Sequence, residues 1–226
     1  MRETMRLHTI EAFTLPEAWR SVLAEVMAEG REYVIQRGSG VGTKRRELDY
    51  VTLHIERPGL RPLAPDMPFG LNLPPPTNVD AIEKYAAQYL LTPDKTENEA
   101  YTYGQRIHQQ LLKAIEMLKA TPDTNQACIE VGRPEDFGTE DPPCLRLIDC
   151  RVSYGQLHFV TYWRSWDAYS GLPTNLGGLQ LVKEFMASEI GVEDGKIIAA
   201  SKGLHLYERD WRHAGMIWGG MRKEVT

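Results

Sequence analysis

In DPPCLRLIDCRVSYGQLHFVTYWRSWD, residues 141–167, two runs carry apolar side chains at alternate positions, 145–152 and 157–163. Period-two alternation predicts two strands with at least one buried face, and Tyr154-Gly155 between them predicts a tight hairpin turn. Beyond this hairpin, Pro173-Thr174-Asn175 opens a predicted helix whose apolar face is Leu176, Leu179, Val182, Phe185 and Met186. A last strand, Lys196–Ser201, leads into Gly203-Leu204-His205-Leu206-Tyr207. Upstream, helical spacing recurs over 15–30, 80–91 and 105–119, and 48–55 alternates as a strand. Seven prolines between Arg57 and Pro76 exclude a regular element there. Strand runs mixed with helices in this order predict an α+β fold, one domain over 1–226, rather than a βαβ sheet.

Composition narrows the function. With 26 Lys+Arg against 31 Asp+Glu the formal charge is −5, which argues against non-specific nucleic-acid binding, since that needs a basic stripe. Apolar residues at 42% and charged residues at 25% are globular proportions. No window approaches a membrane span and the N-terminus has no signal-like apolar run, so a cytoplasmic protein is expected. The three cysteines, Cys128, Cys144 and Cys150, have neither disulfide-framework nor zinc spacing, and no metal is expected.

Several residues could carry chemistry. Pro142-Pro143 holds the chain extended before Cys144 and would present its thiol at a strand mouth, although residue type alone favours a buried structural cysteine. Arg164 and Ser165 could hold an anion together; a surface Arg164–Asp167 pair is the plainer alternative. The turn Arg37-Gly38-Ser39-Gly40-Val41-Gly42-Thr43 could cradle a phosphate or be an ordinary hairpin turn, and it lacks the ending of a P-loop. Asn175 could cap its helix or read a pyrimidine edge. His205 and Tyr207, two apart, share a face and could bond a sugar hydroxyl. Tyr101 and Tyr103 are equally ambiguous, and four tryptophans could stack on a flat ligand or fill the core.

Taken in order, DPPCL, YWRSWD, GLPTN and HLY over 141–207 resemble the thymidylate synthase family, with 37–43 and YTYGQR at 101–106 extending the likeness weakly. The compact length is most similar to the short, archaeal-type branch. The resemblance implies a homodimer joined through a sheet face, dUMP as substrate and 5,10-methylenetetrahydrofolate as co-substrate. It implies Cys144 as the nucleophile at C6, with Arg164 beside it and, with Arg37 and Ser165, on the 5′-phosphate. Asn175 would read the uracil edge, His205 and Tyr207 the sugar hydroxyl, and Asp167 with Gly171 the folate. Tyr103 would assist proton removal, and Glu83 is the choice for the catalytic glutamate of an early helix. Four departures stand out. Thr124-Asn125-Gln126-Ala127 replaces an Arg pair, which directs attention to Lys44, Arg45 or Arg46 for phosphate charge. Trp163 and Leu145 replace a Gln and a His. The C-terminus, GMRKEVT, lacks an apolar closing tail. The alternatives are a pyrimidine hydroxymethylase, a silent nucleotide- or RNA-binding homodimer and, last, a cysteine hydrolase.

Overall fold

The computed structural model describes residues 4–38, 40–67, 70–95 and 101–224. Chain order is β1 (Leu7–Ala12), α1 (Leu15–Glu29), β2 (Arg31–Val34), β3 (Lys44–Leu48), β4 (Tyr50–Ile55) and α2 (Val79–Tyr85), which continues as a π-helical stretch over Ala86–Leu91. Then come α3 (Tyr103–Ala120), β5 (Cys128–Glu130), β6 (Leu145–Ser153), β7 (Gln156–Trp163) and β8 (Trp166–Asp167). The chain ends with α4 (Gly171–Ile190), β9 (Glu193–Ser201), β10 (Leu204–Tyr207) and α5 (Trp211–Glu224).

These elements form the mixed α+β architecture that the sequence predicts. A six-stranded mixed sheet runs β1-β4-β9-β7-β6-β5, and a four-stranded sheet runs β2-β3-β10-β8. Val51, Leu53, Ile55, Leu157, Phe159, Ile197 and Ala199 alternate inward on the large sheet, under Trp19, Val22 and Val26 of α1 and Leu176, Leu179 and Val182 of α4. Thr52, His54, Val160, Tyr162 and Ile198 alternate outward on its other face, with Val160 37% exposed.

The hairpin forms as its alternation requires. Tyr154 (φ 52°) and Gly155 (φ 73°) both take positive φ, the signature of a type I′ turn whose twist matches two strands. Register then runs from Ser153↔Gln156 to Leu147↔Tyr162, shifts at a bulge and ends at Leu145↔Trp163. Cys144 and Arg164 are thereby placed side by side at the hairpin's open end, where Arg164 N–H donates to the Cys144 carbonyl at 2.9 Å.

Two expectations are corrected. Residues 48–55 are not one strand: β3 and β4 lie in different sheets and break at Asp49, whose carboxylate accepts from the Arg6 N–H at 3.0 Å. Nor does Asn175 cap a helix. Helix α4 begins at Gly171, with Pro173 in its first turn where a missing N–H costs nothing, and Asn175 lies inside the helix. Among the proline-rich residues, Arg61 clamps the segment to α4 through Glu184 at 2.6 and 2.8 Å.

Candidate active site

A cleft of about 510 Å³ opens where the two sheets meet, and Cys144, Arg164, Ser165 and Asp167 line it with His205, Tyr207, Arg37 and Arg45. The β6–β7 hairpin contributes the first two residues, the β7–β8 junction the next two, and β10 His205 and Tyr207. Seven of the predicted residues, from Arg37 to Tyr207, therefore converge on one place although they span 170 residues of chain, while Tyr103, Gly171 and Asn175 are not among the residues lining it.

Burial pushes the Cys144 thiol above its ordinary pKa, and the Arg164 guanidinium pulls it back down, incompletely. Arg164 is held against the Asp141-Pro142-Pro143 segment: its Nε donates to the Pro143 carbonyl at 3.2 Å and its Nη2 to Asp141 Oδ1 at 3.1 Å. A further bond from Nη2 goes to the Pro142 carbonyl. The two prolines thus serve less to expose the thiol than to offer carbonyls that fix the cation beside it.

Arg37 reaches across the cleft, donating to the Gly138 carbonyl at 3.0 Å. Its turn is a hairpin connection, with Ile35 N–H on the Thr43 carbonyl at 2.9 Å; Ser39 lies outside the described residues. Among the three basic residues that follow, only Arg45 lines the cleft. Alternation along β3 explains this: Lys44 and Arg46 turn the other way, Lys44 to Glu32 at 3.3 Å and Arg46 over the Trp211 ring at 4.7 Å. Arg45 is oriented by Tyr33 Oη at 2.5 Å and Glu47 at 2.7 Å. Reading the strand back to residue 44 would have singled it out.

His205 is 2% exposed and its Nδ1 lies 2.8 Å from the Gly203 carbonyl. A carbonyl only accepts, so Nδ1 carries the proton and Nε2 is an acceptor. That Nε2 is buried without a partner and therefore suits a ligand hydroxyl. Burial depresses the His205 pKa to about 4, which keeps it neutral. Tyr207 packs edge-on against it at 4.7 Å.

Near the start of α4, Trp166 Nε1 donates to Asn175 Oδ1 at 3.0 Å. An indole N–H can only donate, so the amide oxygen faces Trp166 and the NH₂ points away from it. Trp166 is itself braced by a parallel stack on Trp163, 4.4 Å between centroids and 2° between planes. The tryptophan at 163 thus supports the indole that sets Asn175. Tyr103 Oη accepts from the Leu145 N–H at 3.3 Å, and burial raises its pKa well above the usual phenol value. Asp167 uses its carboxylate on Tyr169 N–H, Ser170 Oγ and Gly171 N–H, at 3.0, 2.7 and 3.2 Å. An ionised carboxylate has about four acceptor positions, so one remains for a ligand N–H.

Glu83 does not join this group. It is exposed and lines a separate apolar pocket with Leu63, Val79, Ile82 and Leu181. The buried stripe of its helix is Ile82, Ala86 and Leu90, and Glu83 sits off it. Among the described residues no His/Cys/Asp/Glu group could hold a metal, and no helix is long and apolar enough to cross a membrane.

A cysteine at a hairpin's open end beside a fixed arginine, in a cleft that also holds Arg37, Arg45 and a buried neutral histidine, defines the candidate site. The family model described as thymidylate synthase matches residues 80–217. A protein of Methanosarcina acetivorans named "Putative thymidylate synthase" is 30% identical over 209 residues, 89% of this chain and 90% of the relative. One of the same name from Methanothermobacter thermautotrophicus is 30% identical over 228 residues, 92% of this chain and 96% of the relative. The chain belongs to the thymidylate synthase family.

Proposed function

We propose that this protein transfers a one-carbon unit from 5,10-methylenetetrahydrofolate to C5 of dUMP and reduces it, giving dTMP and dihydrofolate. The observation that carries the reading is the adjacency of the Cys144 thiol and the Arg164 guanidinium in a cleft that also holds Arg37, Arg45 and Ser165. Those cations and the hydroxyl suit a phosphate, and Arg45 takes up the charge that an Arg pair at Asn125-Gln126 would have carried. His205 Nε2 accepts the sugar hydroxyl, with Tyr207 beside it. The Asn175 NH₂ meets the C4 carbonyl of uracil, and its oxygen, already oriented by Trp166, has a second lone pair for N3–H.

Cys144 loses its proton to cleft water, favoured by Arg164, and the sulfur adds to C6. The C5–C6 π electrons move onto the C4 oxygen, and C5 becomes a nucleophile. The folate, held at Asp167 and Gly171, supplies the one-carbon unit and later the hydride. Tyr103, whose phenol stays protonated, assists loss of the C5 proton by orienting water rather than by ionising. The bare outer face of the large sheet supports a homodimer joined there.

The test incubates the protein with dUMP, dCMP and methylenetetrahydrofolate and identifies products by mass spectrometry. dTMP with dihydrofolate is expected, and Cys144→Ser should lower turnover by about 10⁴-fold or more while retaining dUMP binding. A hydroxymethyl nucleotide with tetrahydrofolate would establish the hydroxymethylase instead. Nucleotide binding without turnover would leave a silent binding protein, and a Cys144→Ser variant as fast as wild type would remove the nucleophile.

A further inference from the structure

Tyr85, at the end of α2, has a hydroxyl that is buried and has no hydrogen-bond partner among the described residues. Leaving such a group unpaired in the free protein is costly, so a buried orphan hydroxyl calls for an explanation. Its position supplies one. The ring lies on Gly178: a Cβ there would come within 2.4 Å of the Tyr85 Cδ1, so only glycine admits the ring so close to α4. Gly178 is one helical turn beyond Asn175, on the same face, and the Tyr85 hydroxyl comes within reach of the Asn175 amide. A parallel stack on Tyr89, 5.4 Å between centroids and 19° between planes, holds the ring.

We propose that the Tyr85 hydroxyl is a catalytic and specificity-determining group that donates a hydrogen bond to the C4 oxygen of the pyrimidine as Cys144 adds to C6. The inference rests on the reading of the site given above. As the S–C6 bond forms and the C5–C6 π bond breaks, negative charge collects on that oxygen, and a fixed neutral donor stabilises it most when the charge is greatest. Burial raises the phenol well above its usual pKa, so it remains a donor throughout the working pH range. No proton need leave it; the enolate electrons return to C5 when the new carbon–carbon bond forms. Helix α2 thus turns Tyr85 toward α4 beside Asn175, whereas its carboxylates Asp80 and Glu83 are exposed.

The experiment uses the full chain, wild type and Tyr85→Phe, with 5-fluoro-dUMP, its 4-thio analogue and methylenetetrahydrofolate, following the covalent adduct on the Cys144 peptide. Wild type must form the adduct with 5-fluoro-dUMP; if it does not, the reading of the site fails whatever Tyr85 does. Given that adduct, Tyr85→Phe should form it about 100-fold more slowly. Sulfur accepts hydrogen bonds poorly, so the wild-type preference for oxygen over sulfur at C4 should shrink several-fold in the variant. Removing an unpaired hydroxyl should leave Tm equal or higher. An unchanged adduct rate, an unchanged oxygen preference or a lowered Tm would each overturn the proposal, the last by showing that the hydroxyl supports the fold.

Discussion

His205 shows how one side chain couples function to stability. Its Nε2 can accept from a ligand only while the ring is neutral, and burial holds the folded-state pKa near 4 against about 6.5 in an unfolded chain. Between those values the unfolded state binds the proton and the folded state does not, so stability falls as pH drops through this window and levels off below it. The loss is about 3 kcal/mol by pH 4. Urea unfolding of wild type and His205→Gln from pH 7 to 4 should show the variant flatter by roughly that amount; equal slopes would place the acid sensitivity elsewhere. Cys144 illustrates the opposite bias. Its thiol rests protonated because burial outweighs Arg164, so the arginine tempers a cost that the site's burial creates.

At the scale of elements, two glycines decide how α2 meets α4. A Cβ at Gly177 would fall 2.7 Å from Ile82 Cδ1, and one at Gly178 2.4 Å from the Tyr85 ring. Alanine is worth about 1 kcal/mol over glycine in a helix interior, but overpacking costs about 1–3 kcal/mol. Ile82 is fully buried and the Tyr85 ring is stacked on Tyr89, so overpacking wins. Gly178→Ala should lower stability by about 1 kcal/mol in denaturant unfolding, net of that propensity gain, and slow adduct formation by shifting Tyr85. A stabilised variant would mean that the helices give way easily. Helix α3 works in the same manner on the other side: Arg106 grips Asp136 at 2.6 and 2.8 Å and anchors the loop whose Gly138 carbonyl receives Arg37.

For the whole molecule, the question is what covers the large sheet's outer face. Helices bury one side; the other presents Thr52, Val160, Tyr162 and Ile198 at alternate positions of three adjoining strands. A second copy would bury this face against its own equivalent, as a two-fold axis allows. Sedimentation should give twice the 25.7 kDa chain mass for wild type, and Val160→Lys should yield monomers by burying an unpaired ammonium group in the joint. Wild-type monomers would remove the dimer.

The pairing of Cys144 with Arg164 followed from the family resemblance, but the hairpin over 145–163 and the main helices were legible in the chain because each rests on local periodicity or on a turn that fixes register. Those signals need no knowledge of distant neighbours. Arg45 was legible only in outline, since its selection over Lys44 and Arg46 depends on where β3 begins. Tyr85 was not legible at all. Spacing marks the helix it ends, but which side chain enters the cleft depends on two glycines more than 90 residues later. The local pattern therefore determined the main strands, the helices and the hairpin that carries Cys144. Only tertiary packing decided which helix face meets the site, because that choice is made by contacts between segments that the sequence holds apart.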